Sequence, residues 1–359
     1  MAEKKPLKGD RGLFWLTCLL LVLGILALAD VSSPLALSTF GDSFYFVKQQ
    51  VVWGALGFVI LLVSSHIHYS FWKKLAPVIF GVSIVTLIAV LLPGVGSKLL
   101  GARRWIVLGP LNFQPAELVK LSLAMFFAWA YDRQLPYWVY IVTLGALGGL
   151  IMLQPDLGTT LVVLSVGLIQ LFLAGIPFLK LGGVLFGGGI LGALLIMFSS
   201  YRRARLATFL QSSTDPLGSS YHIRQILIAI GSGGLFGVGL GQSRQKYLFL
   251  PETATDSIFA VIAEEIGFVG GVIFICLLAF FLYKTIKIAR QAPDRFSMLL
   301  AAGVSAWLGG QMLLNIASMV SLTPLTGIPL PFFSYGGSSL IMILFAVGVL
   351  LNISKHAKN

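Results

Sequence analysis

Long apolar segments recur along the whole chain, and they restrict its fold more than any other feature. Crossing the hydrocarbon core of a membrane takes about 20 apolar residues per helix. Hydrophobic residues make up 57% of the chain and charged residues only 11%, unlike the composition of a soluble domain. The apolar segments are continuous and do not alternate with polar residues, so helices rather than strands are the predicted spanning elements. The sequence therefore predicts an all-α polytopic membrane protein.

We predict about ten transmembrane helices in a single integral membrane domain, residues 1–359. The first follows a Lys/Arg-rich N-terminus and has no obvious cleavage site at its end, so we interpret it as a retained helix. A large extracytoplasmic loop, residues 201–265, separates helices 7 and 8. The predicted spans are Gly12–Ala29, Phe46–Ser65, Leu75–Leu92, Ala116–Tyr131, Tyr137–Leu153, Thr159–Ala174, Leu181–Ser200, Ile266–Tyr283, Met298–Val320 and Leu340–Leu351.

Positive charge predicts the orientation of these helices, since short cytoplasmic loops are rich in Lys and Arg. Lys and Arg residues occur before the first span, in the short loops after the second and the eighth spans, and at the C-terminus. An even number of spans puts all of them on one side of the membrane. We therefore predict a multi-pass protein of the cytoplasmic membrane with both termini in the cytoplasm.

Nine Lys and Arg residues nevertheless fall in segments assigned to the outer side. One explanation is that long loops are translocated regardless of their charge. The other is an outward-facing site for an anion such as a phosphate, because the planar guanidinium of Arg donates two hydrogen bonds at once. The nine residues are Lys98, Arg103, Arg104, Arg202, Arg203, Arg205, Arg224, Arg244 and Lys246.

Four of the 13 acidic residues are concentrated in the segment Leu250–Gly271. Asp256 precedes an apolar helical stretch, where a carboxylate serves as an N-cap, a catalytic base, or both. If the helix runs on from Asp256, Glu264 lies about 12 Å along its axis, beyond the about 5–9.5 Å of paired glycosidase carboxylates. A single base surrounded by cations fits better than an acid–base pair. Glu252 stays unassigned, and we expect Glu264 and Glu265 to orient the eighth span or to pair with a loop Arg.

Charged residues also occur at the heads of two predicted spans. Glu117 and Lys120 form an i, i+3 pair just inside the fourth span, and Lys48 is similarly placed in the second. Ionisable residues at membrane depth usually face a cavity or one another. The alternative is that the Lys side chains extend to the membrane interface.

Three loops carry further features. The glycine-rich segment Gly231–Gly241 could be taken for a dinucleotide-binding fingerprint, but no strand precedes it as that motif requires. We expect it to form a tight turn, with phosphate binding by its N–H groups as the alternative. The preceding amphipathic segment, Tyr221–Ile230, is predicted to lie at the membrane surface. Three prolines and three glycines fix the backbone of Thr323–Ser339, which we predict to be a wall of a binding site. Asp156 is a predicted N-cap.

Six segments, taken together and in order, resemble the SEDS family of shape, elongation, division and sporulation proteins, and its rod-shape members most. The resemblance extends from Lys48 to the C-terminus. The family usually has a His before the Thr-Asp pair, where this chain has Ala254, so we assign that His no indispensable role. The segments are Gly101–Ile106, Gln114–Lys120, Met152–Thr159, Ala229–Gly237, Leu250–Gly271 and Pro324–Ser339.

The resemblance implies a peptidoglycan glycosyltransferase that polymerises lipid II at the outer face of the bacterial cytoplasmic membrane. Its usual partner is a class B penicillin-binding protein; membrane lipids and the growing glycan strand are the other expected partners, and nucleic acid is not expected. Asp256 corresponds to the residue to which the family's catalysis is ascribed. No cofactor is assigned, and the alternative role of Asp256 is to hold a divalent cation, Mg²⁺ or Mn²⁺, against the diphosphate. The candidate substrate-binding residues are Lys48, Arg103, Arg104, Glu117, Lys120, Arg203 and Arg224.

Two other classes of function stay open. A lipid II flippase is one, since ten helices with charges at membrane depth also suit a transporter, although no internal repeat is evident. A scaffold for the partner enzyme is the other. A flippase moves the lipid between leaflets without making glycan, whereas a scaffold tolerates neutralisation of every loop carboxylate.

Overall fold

Helices make up most of the chain in the computed structural model, which describes residues 9–99, 102–108, 111–210 and 220–357. The described residues form twelve helices and one three-stranded sheet. The helices are α1 (Arg11–Phe40), α2 (Tyr45–His66), α3 (Tyr69–Ala89), α4 (Pro115–Asp132), α5 (Tyr137–Leu153), α6 (Leu157–Leu173), α7 (Phe178–Met197), α8 (Ser200–Leu210), α9 (Tyr221–Ser232), α10 (Ile258–Arg290), α11 (Arg295–Met319) and α12 (Gly337–Lys355). The strands are β1 (Gly96–Leu99), β2 (Ala102–Leu108) and β3 (Leu111–Phe113).

Each of the ten predicted spans overlaps one helix, α1–α7 or α10–α12, so the prediction of a helical membrane protein is confirmed. Six of these helices, α1, α2, α3, α10, α11 and α12, are long and apolar enough to cross a membrane. Helices α5 and α6 and the segment Phe178–Leu194 of α7 are apolar but shorter. Helix α4 carries three charged residues, Glu117, Lys120 and Asp132, within its 18 positions. The number of spans, ten, therefore stays a prediction.

The sheet between α3 and α4 is the departure from an all-α fold. Its three strands are antiparallel in the order β1-β2-β3, and Ile106 pairs with Gly96 on one side and with Phe113 on the other. Strands this short give too few alternating positions to be recognised in the sequence. The sheet satisfies the backbone of a long connection and brings Arg103 and Arg104 to one end of the helix bundle.

The core lies where α4, α11 and α12 pack, and these helices contribute many of the fully buried side chains, including Trp307. Helix α6 is joined to this core by the amide of Gln170, which donates to the carbonyls of Ala124 and Leu299, both at 2.9 Å. The approach is close, since a Cβ on Gly303 would lie 2.6 Å from that amide nitrogen. Small residues and interhelical hydrogen bonds of this kind hold helices together inside a membrane.

The predicted loop 201–265 contains more helix than expected. Helix α8 lies at its start, and residues 211–219 lie outside the described part of the chain. The predicted amphipathic helix is present as α9, which buries Ile223, Ile226 and Ala229 while Leu227 is exposed. Helix α10 begins at Ile258, so the loop ends eight residues before the predicted start of the eighth span at Ile266.

The glycine-rich segment that follows α9 packs against an interruption in α10. Gly267 interrupts the helix with a left-handed φ of 69°. Four backbone hydrogen bonds of 2.9–3.1 Å join residues 234–239 to residues 264–269, replacing bonds that the interrupted helix loses. The glycines thus form a tight, close-packed turn, as predicted. The N–H groups of Gly237, Val238 and Gly239 donate to backbone carbonyls, which leaves them no capacity for the alternative role of phosphate binding.

Candidate active site

A cavity of about 520 Å³ lies at the end of the bundle where α4, α6, α10 and α12 begin. Strand β2, α8, α9 and the loop before α10 complete its lining. The loop between α11 and α12 contributes Leu325, Gly327, Pro329 and Tyr335, so the predicted wall Thr323–Ser339 does line a cavity. This cavity brings together residues that are far apart in the sequence.

Asp256 lines this cavity and is buried, with 9% of its surface exposed. Its backbone is fixed, because the amide of Asn315 donates to its carbonyl at 2.8 Å. The preceding residues are held as well: the N–H of Tyr335 donates to the carbonyl of Ala254 at 2.8 Å, and the Ser334 hydroxyl donates to the carbonyl of Thr255. The carboxylate is therefore presented by a rigid loop.

Of the two roles left open for Asp256, N-cap and catalytic base, the structure does not show the N-cap. Helix α10 starts one residue later than that role requires, and Ser257 occupies the cap position without a side-chain cap bond. The N–H of Ser257 instead donates to the carbonyl of Glu252 at 3.1 Å, which turns the chain before the helix. The side-chain hydrogen bond to the Asp256 carboxylate comes from the Thr255 hydroxyl, at 3.4 Å. The carboxylate is thus left for chemistry in the cavity.

Its surroundings raise the pKa of Asp256 from its ordinary value of 3.8 to about 7. Burial is the largest cause and the nearby charge of Glu252 the second; the backbone N–H of Asp256, the Thr255 hydroxyl and Arg205 act in the opposite direction. A carboxylate that titrates near neutral pH is suited to accept a proton as a general base.

Two arginines line the same cavity. Arg104, a predicted substrate-binding residue, donates to the carbonyls of Gln154 at 3.1 Å and Pro155 at 2.5 Å, and lies 3.7 Å from the Asp156 carboxylate. Asp156 caps α6 as predicted, accepting from the N–H of Thr159 at 3.0 Å. The second arginine is Arg205.

Arg205 comes from α8, and its Nη1 donates to the carbonyl of Leu325 at 2.9 Å. Arg205 is one of the nine outer cations but not one of the predicted substrate-binding residues. Nothing in its immediate sequence separates it from Arg202 and Arg203. Its position on α8 distinguishes Arg205. It lies on the helix face that lines the cavity, with Ala204 and, one helical turn further, Thr208, whereas Arg203 is exposed and does not line the cavity.

The predicted pair of Glu117 and Lys120 is a salt bridge of 2.6 Å between buried side chains. Only Glu117 lines the cavity; Lys120 lies behind it, donating also to Gln311 at 3.0 Å and lying 5.4 Å from the ring centroid of Trp307. The second carboxylate oxygen of Glu117 has no hydrogen-bond partner among the described residues.

The remaining predicted substrate-binding residues lie outside the cavity. Lys48 is exposed and pairs with Asp42 at 2.7 Å. Arg103 donates from Nη1 to the carbonyl of Leu91 at 3.3 Å. The side chains of Arg203 and Arg224 are exposed, on α8 and α9 respectively. The structure does not group these four with Asp256, so their part in substrate binding stays a prediction.

His222 was missed as a site residue. It lines the cavity from α9, and its Nε2 lies 2.8 Å from the Ser257 hydroxyl. Burial is the main reason why the pKa of His222 is lowered from 6.5, so the imidazole is neutral at pH 7. Its rarity could have indicated it, since the chain has only four His residues and His222 lies at the start of the predicted amphipathic helix.

The other acidic residues of the segment Leu250–Gly271 divide by role. Glu252 lines the cavity beside Asp256. Glu264 accepts from the Ser243 hydroxyl at 2.5 Å and from the N–H of Arg244 at 3.3 Å. Glu265 pairs at 2.9 Å with Lys246, a loop lysine rather than the expected loop arginine. Glu264 and Glu265 therefore fasten the 232–246 segment to α10.

The cavity offers carboxylate ligands to a divalent cation, but too few for a site made by protein alone. Among residues 9–99, 102–108, 111–210 and 220–357, no three His, Cys, Asp or Glu side chains cluster as a metal site would require. The cavity nevertheless offers the carboxylates of Asp256 and Glu252. One or two carboxylates completed by waters and substrate phosphates are a usual Mg²⁺ environment, so these two residues fit a substrate-carried ion rather than an all-protein site.

Comparison with known proteins gives consistent matches over the whole chain. The family model FtsW/RodA/SpoVE, described as "cell cycle protein", matches residues 11–359. The stage V sporulation protein E of Bacillus subtilis is 38% identical, with all of both chains covered. The probable peptidoglycan glycosyltransferase FtsW of Trichlorobacter lovleyi is also 38% identical, over 93% of this chain and 90% of its own length.

Two solved structures share the fold at 30% identity. One is a chain from a structure of a peptidoglycan synthase complex that coordinates polymerization and crosslinking. Its TM-score is 0.80, and the alignment covers 97% of this chain and 98% of that one. The other is the rod shape determining protein RodA of Thermus thermophilus, with a TM-score of 0.72 and 98% of both chains covered.

Proposed function

Because the chain belongs to the family of cell cycle proteins that comprises FtsW, RodA and SpoVE, we propose that it is a peptidoglycan glycosyltransferase. Its substrate is lipid II, a disaccharide-peptide on undecaprenyl diphosphate, and its product is a glycan strand. The active site is the cavity around Asp256, and it faces the outer side of the cytoplasmic membrane. Membrane grooves hold the polyprenyl tails of the donor and the acceptor.

The observation that supports this most is the arrangement of Asp256 with Arg104 and Arg205 around one cavity. A sugar diphosphate already carries a good leaving group, so the reaction needs no general acid to protonate it. It needs a base for the attacking hydroxyl and cations for the diphosphate. The cavity offers one carboxylate with a pKa of about 7 and two guanidinium groups.

In the proposed reaction, Asp256 accepts the proton of the acceptor sugar's 4-hydroxyl. The hydroxyl oxygen attacks the anomeric carbon of the donor, and the bond from that carbon to the diphosphate oxygen breaks with inversion. Undecaprenyl diphosphate leaves with the electron pair, and Arg104 and Arg205 stabilise its charge. If a divalent cation accompanies the diphosphate, Asp256 and Glu252 are the residues that hold it, and it supplies further charge neutralisation.

Asp256→Asn is the direct test of this assignment. The substitution keeps the size of the side chain and removes its ability to take a proton, so polymerisation of lipid II in reconstituted membranes should fall by about 10²–10⁴-fold. Asp42→Asn is the matched control, since Asp42 is at the same end of the bundle, outside the cavity. Full polymerisation by a folded Asp256→Asn protein would contradict the assignment.

Chelation of divalent ions in the same assay separates the two roles of Asp256, a base and a metal ligand.

A flippase is the alternative that this assay also addresses. A transporter moves labelled lipid II between the leaflets of a vesicle and produces no glycan, whereas the proposed enzyme produces glycan from lipid II presented on one side. A scaffold would keep its cellular role when Glu252 and Asp256 are both neutralised. Glycan made by the purified protein contradicts both alternatives.

Cell elongation is the cellular role that we propose, with a class B penicillin-binding protein as the partner that cross-links the new strands. The 30% identity with the rod shape determining protein RodA over 98% of both chains supports elongation, although the stage V sporulation protein E and the FtsW relative are more similar, at 38% identity. Depletion should turn rods into spheres with intact septa. Filaments without septa would assign the protein to division instead.

A further inference from the structure

A second cavity lies at the other end of the bundle, and the proposed reaction makes no use of it. Its volume is about 440 Å³, within the usual range of ligand pockets. It is formed where α4 ends and α5 begins, where α6 passes into α7, and where α11 begins. The lining residues used below are Tyr131, Asp132, Gln134, Tyr137, Tyr140 and Arg295.

A buried tyrosine reaches this second cavity, and its hydroxyl has no protein partner. Tyr140 is 5% exposed, and its ring packs edge-on against Phe127 with centroids 4.9 Å apart. Its hydroxyl makes no hydrogen bond to any residue that the structure describes. The hydroxyl oxygen itself is not enclosed by protein, and Tyr140 lines the cavity. A water or a bound molecule in the cavity is therefore the partner available to it.

The helix ends at this cavity favour an anion. The last carbonyls of α4 accept N–H groups of Arg133, Gln134 and Leu135, and those of α6 are satisfied in the same way by residues 174–176. The negative ends of both helices are therefore already bonded. Helix α5 starts after Pro136, which provides no side-chain cap, so its first N–H groups point outward without a cap bond.

The charged side chains at this cavity also favour a bound anion. Asp132 is neutralised by Lys73, at 2.7 Å. Arg295 lies on the cavity wall, and its one hydrogen-bond contact in the described residues is a 4.0 Å contact with the sulfur of Met298. Lys180 lies 4.3 Å from the ring centroid of Tyr137, at the rim. Neither Arg295 nor Lys180 forms an ion pair with an acidic side chain in the described part of the chain, which suits a phosphate group.

An exposed apolar surface continues from the cavity along α6 and α7. Phe172, Phe178 and Leu179 are 47%, 76% and 90% exposed and flank the turn that lines the cavity. In a helical membrane protein this surface meets acyl chains. A ligand with a phosphate head and apolar tails would satisfy both parts at once, whereas a free phosphate compound would use only the cavity.

We propose that this cavity binds the headgroup of an anionic phospholipid. Arg295 and Lys180 contact its phosphate, the Tyr140 hydroxyl donates to a phosphate or glycerol oxygen, and the acyl chains lie along α6 and α7. Basic pockets between membrane helices bind anionic headgroups by the same chemistry. The site is separate from the active-site cavity, so its test does not depend on the proposed glycosyltransferase activity.

The test is lipid binding by the full-length, delipidated protein in an uncharged detergent. Phosphatidylglycerol and phosphatidylcholine of equal chain length are titrated separately, and bound lipid is counted by native mass spectrometry. We expect preferential binding of phosphatidylglycerol. Arg295→Gln should weaken it by about 10-fold or more, and Tyr140→Phe by about 3- to 10-fold. Arg290→Gln is the matched control, because Arg290 is exposed at the same end of the bundle and outside the cavity.

Several results would overturn the proposal. Equal binding of the two lipids would exclude a headgroup site, and equal weakening by Arg290→Gln and Arg295→Gln would reduce the effect to overall surface charge. Displacement of the lipid by millimolar inorganic phosphate would assign the cavity to a soluble phosphate compound. Should Arg295→Gln fail to fold, the smaller change Tyr140→Phe decides alone: unaltered lipid binding in that variant contradicts the site.

Discussion

At the scale of single residues, the acidic side chains of this protein differ in what surrounds them. Glu117 and Glu265 are each bonded to a buried lysine, at 2.6 and 2.9 Å. Asp256 forms no ion pair within 4 Å among the described residues, and its neighbour Glu252 adds a second negative charge. Both conditions disfavour the ionised form of Asp256. In the proposed reaction, they give the base a pKa near the pH at which it must work.

The dependence of polymerisation on pH should therefore report Asp256. The rate should rise with pH along a one-proton limb with its midpoint near 7, because the base must be deprotonated. Glu252→Gln removes the second largest cause of the raised pKa, so the midpoint should move to lower pH. Initial rates across pH 5–9 measure this, with Asp42→Asn as the control that leaves the midpoint in place. An unchanged midpoint in Glu252→Gln would mean that another group controls the limb.

Asp256 should also reduce the stability of the folded protein above neutral pH. Its pKa is about 7 in the folded state against an ordinary value of 3.8, so between these values the folded state binds more protons than the unfolded one. Stability falls as pH rises through that window and is level above it. Asp256→Asn removes this loss, which is at most about 4 kcal/mol at 1.36 kcal/mol per pH unit. The melting temperature of the variant should exceed the parent's at pH 8 and match it near pH 4; a parent more stable at pH 8 would contradict this.

The residues of the site were only partly predictable from the sequence. Asp256 was found because carboxylates are rare in this chain, and Glu117 because it is charged inside an apolar segment. Arg205 and His222 were missed because helical phase decides which of several similar residues reaches the cavity. The N-cap alternative for Asp256 is not observed, because the helix starts one position later and the chain before it is held by a bond from the distant residue Tyr335 to Ala254.

At the scale of elements, the ten apolar helices follow from composition and continuity of the sequence, whereas the sheet and the interruption of α10 depend on contacts. The sequence near Gly267 marks the start of a span rather than a break, since Glu264 and Glu265 precede Ile266 and apolar residues follow. The break exists because the segment 234–239 provides the missing hydrogen bonds from about 30 positions away in the chain. Pairing between distant segments is the information that a single sequence displays least.

Gly267→Ala should destabilise the protein strongly. The residue has a left-handed φ of 69°, and a Cβ there would lie 2.2 Å from the amide nitrogen of Gly237, which cannot move without breaking the backbone pairing. We expect a loss of at least about 2 kcal/mol, measured as a lower melting temperature in detergent. Gly271→Ala is the control, since a Cβ at that position on the same helix meets nothing within 4 Å. Equal melting temperatures for the two variants would contradict the proposed pairing.

At the scale of the whole molecule, the two cavities lie at opposite ends of the same bundle, and α4 connects them. Its first turn places Glu117 in the active-site cavity, and its last turn places Tyr131 and Asp132 in the second cavity. Each end has its own chemistry. One end has a carboxylate of raised pKa with two arginines, and the other has a helix start without a side-chain cap beside Arg295 and Lys180. In the proposed orientation, the first end faces outward and the second faces the cytoplasm.

That orientation is tested by labelling single cysteines with a membrane-impermeant maleimide. The two native cysteines, Cys18 and Cys276, are first replaced by Ser. Leu322→Cys then reports the active-site end, since Leu322 is 74% exposed in the loop after α11, and Gln291→Cys reports the other end, where it is exposed after α10. In intact spheroplasts, Leu322→Cys should be labelled. Gln291→Cys should be labelled only after the membrane is broken, because the reagent cannot cross the bilayer. The reverse pattern would place the active-site cavity in the cytoplasm, where the diphosphate-linked donor would be used on the wrong side for an external glycan.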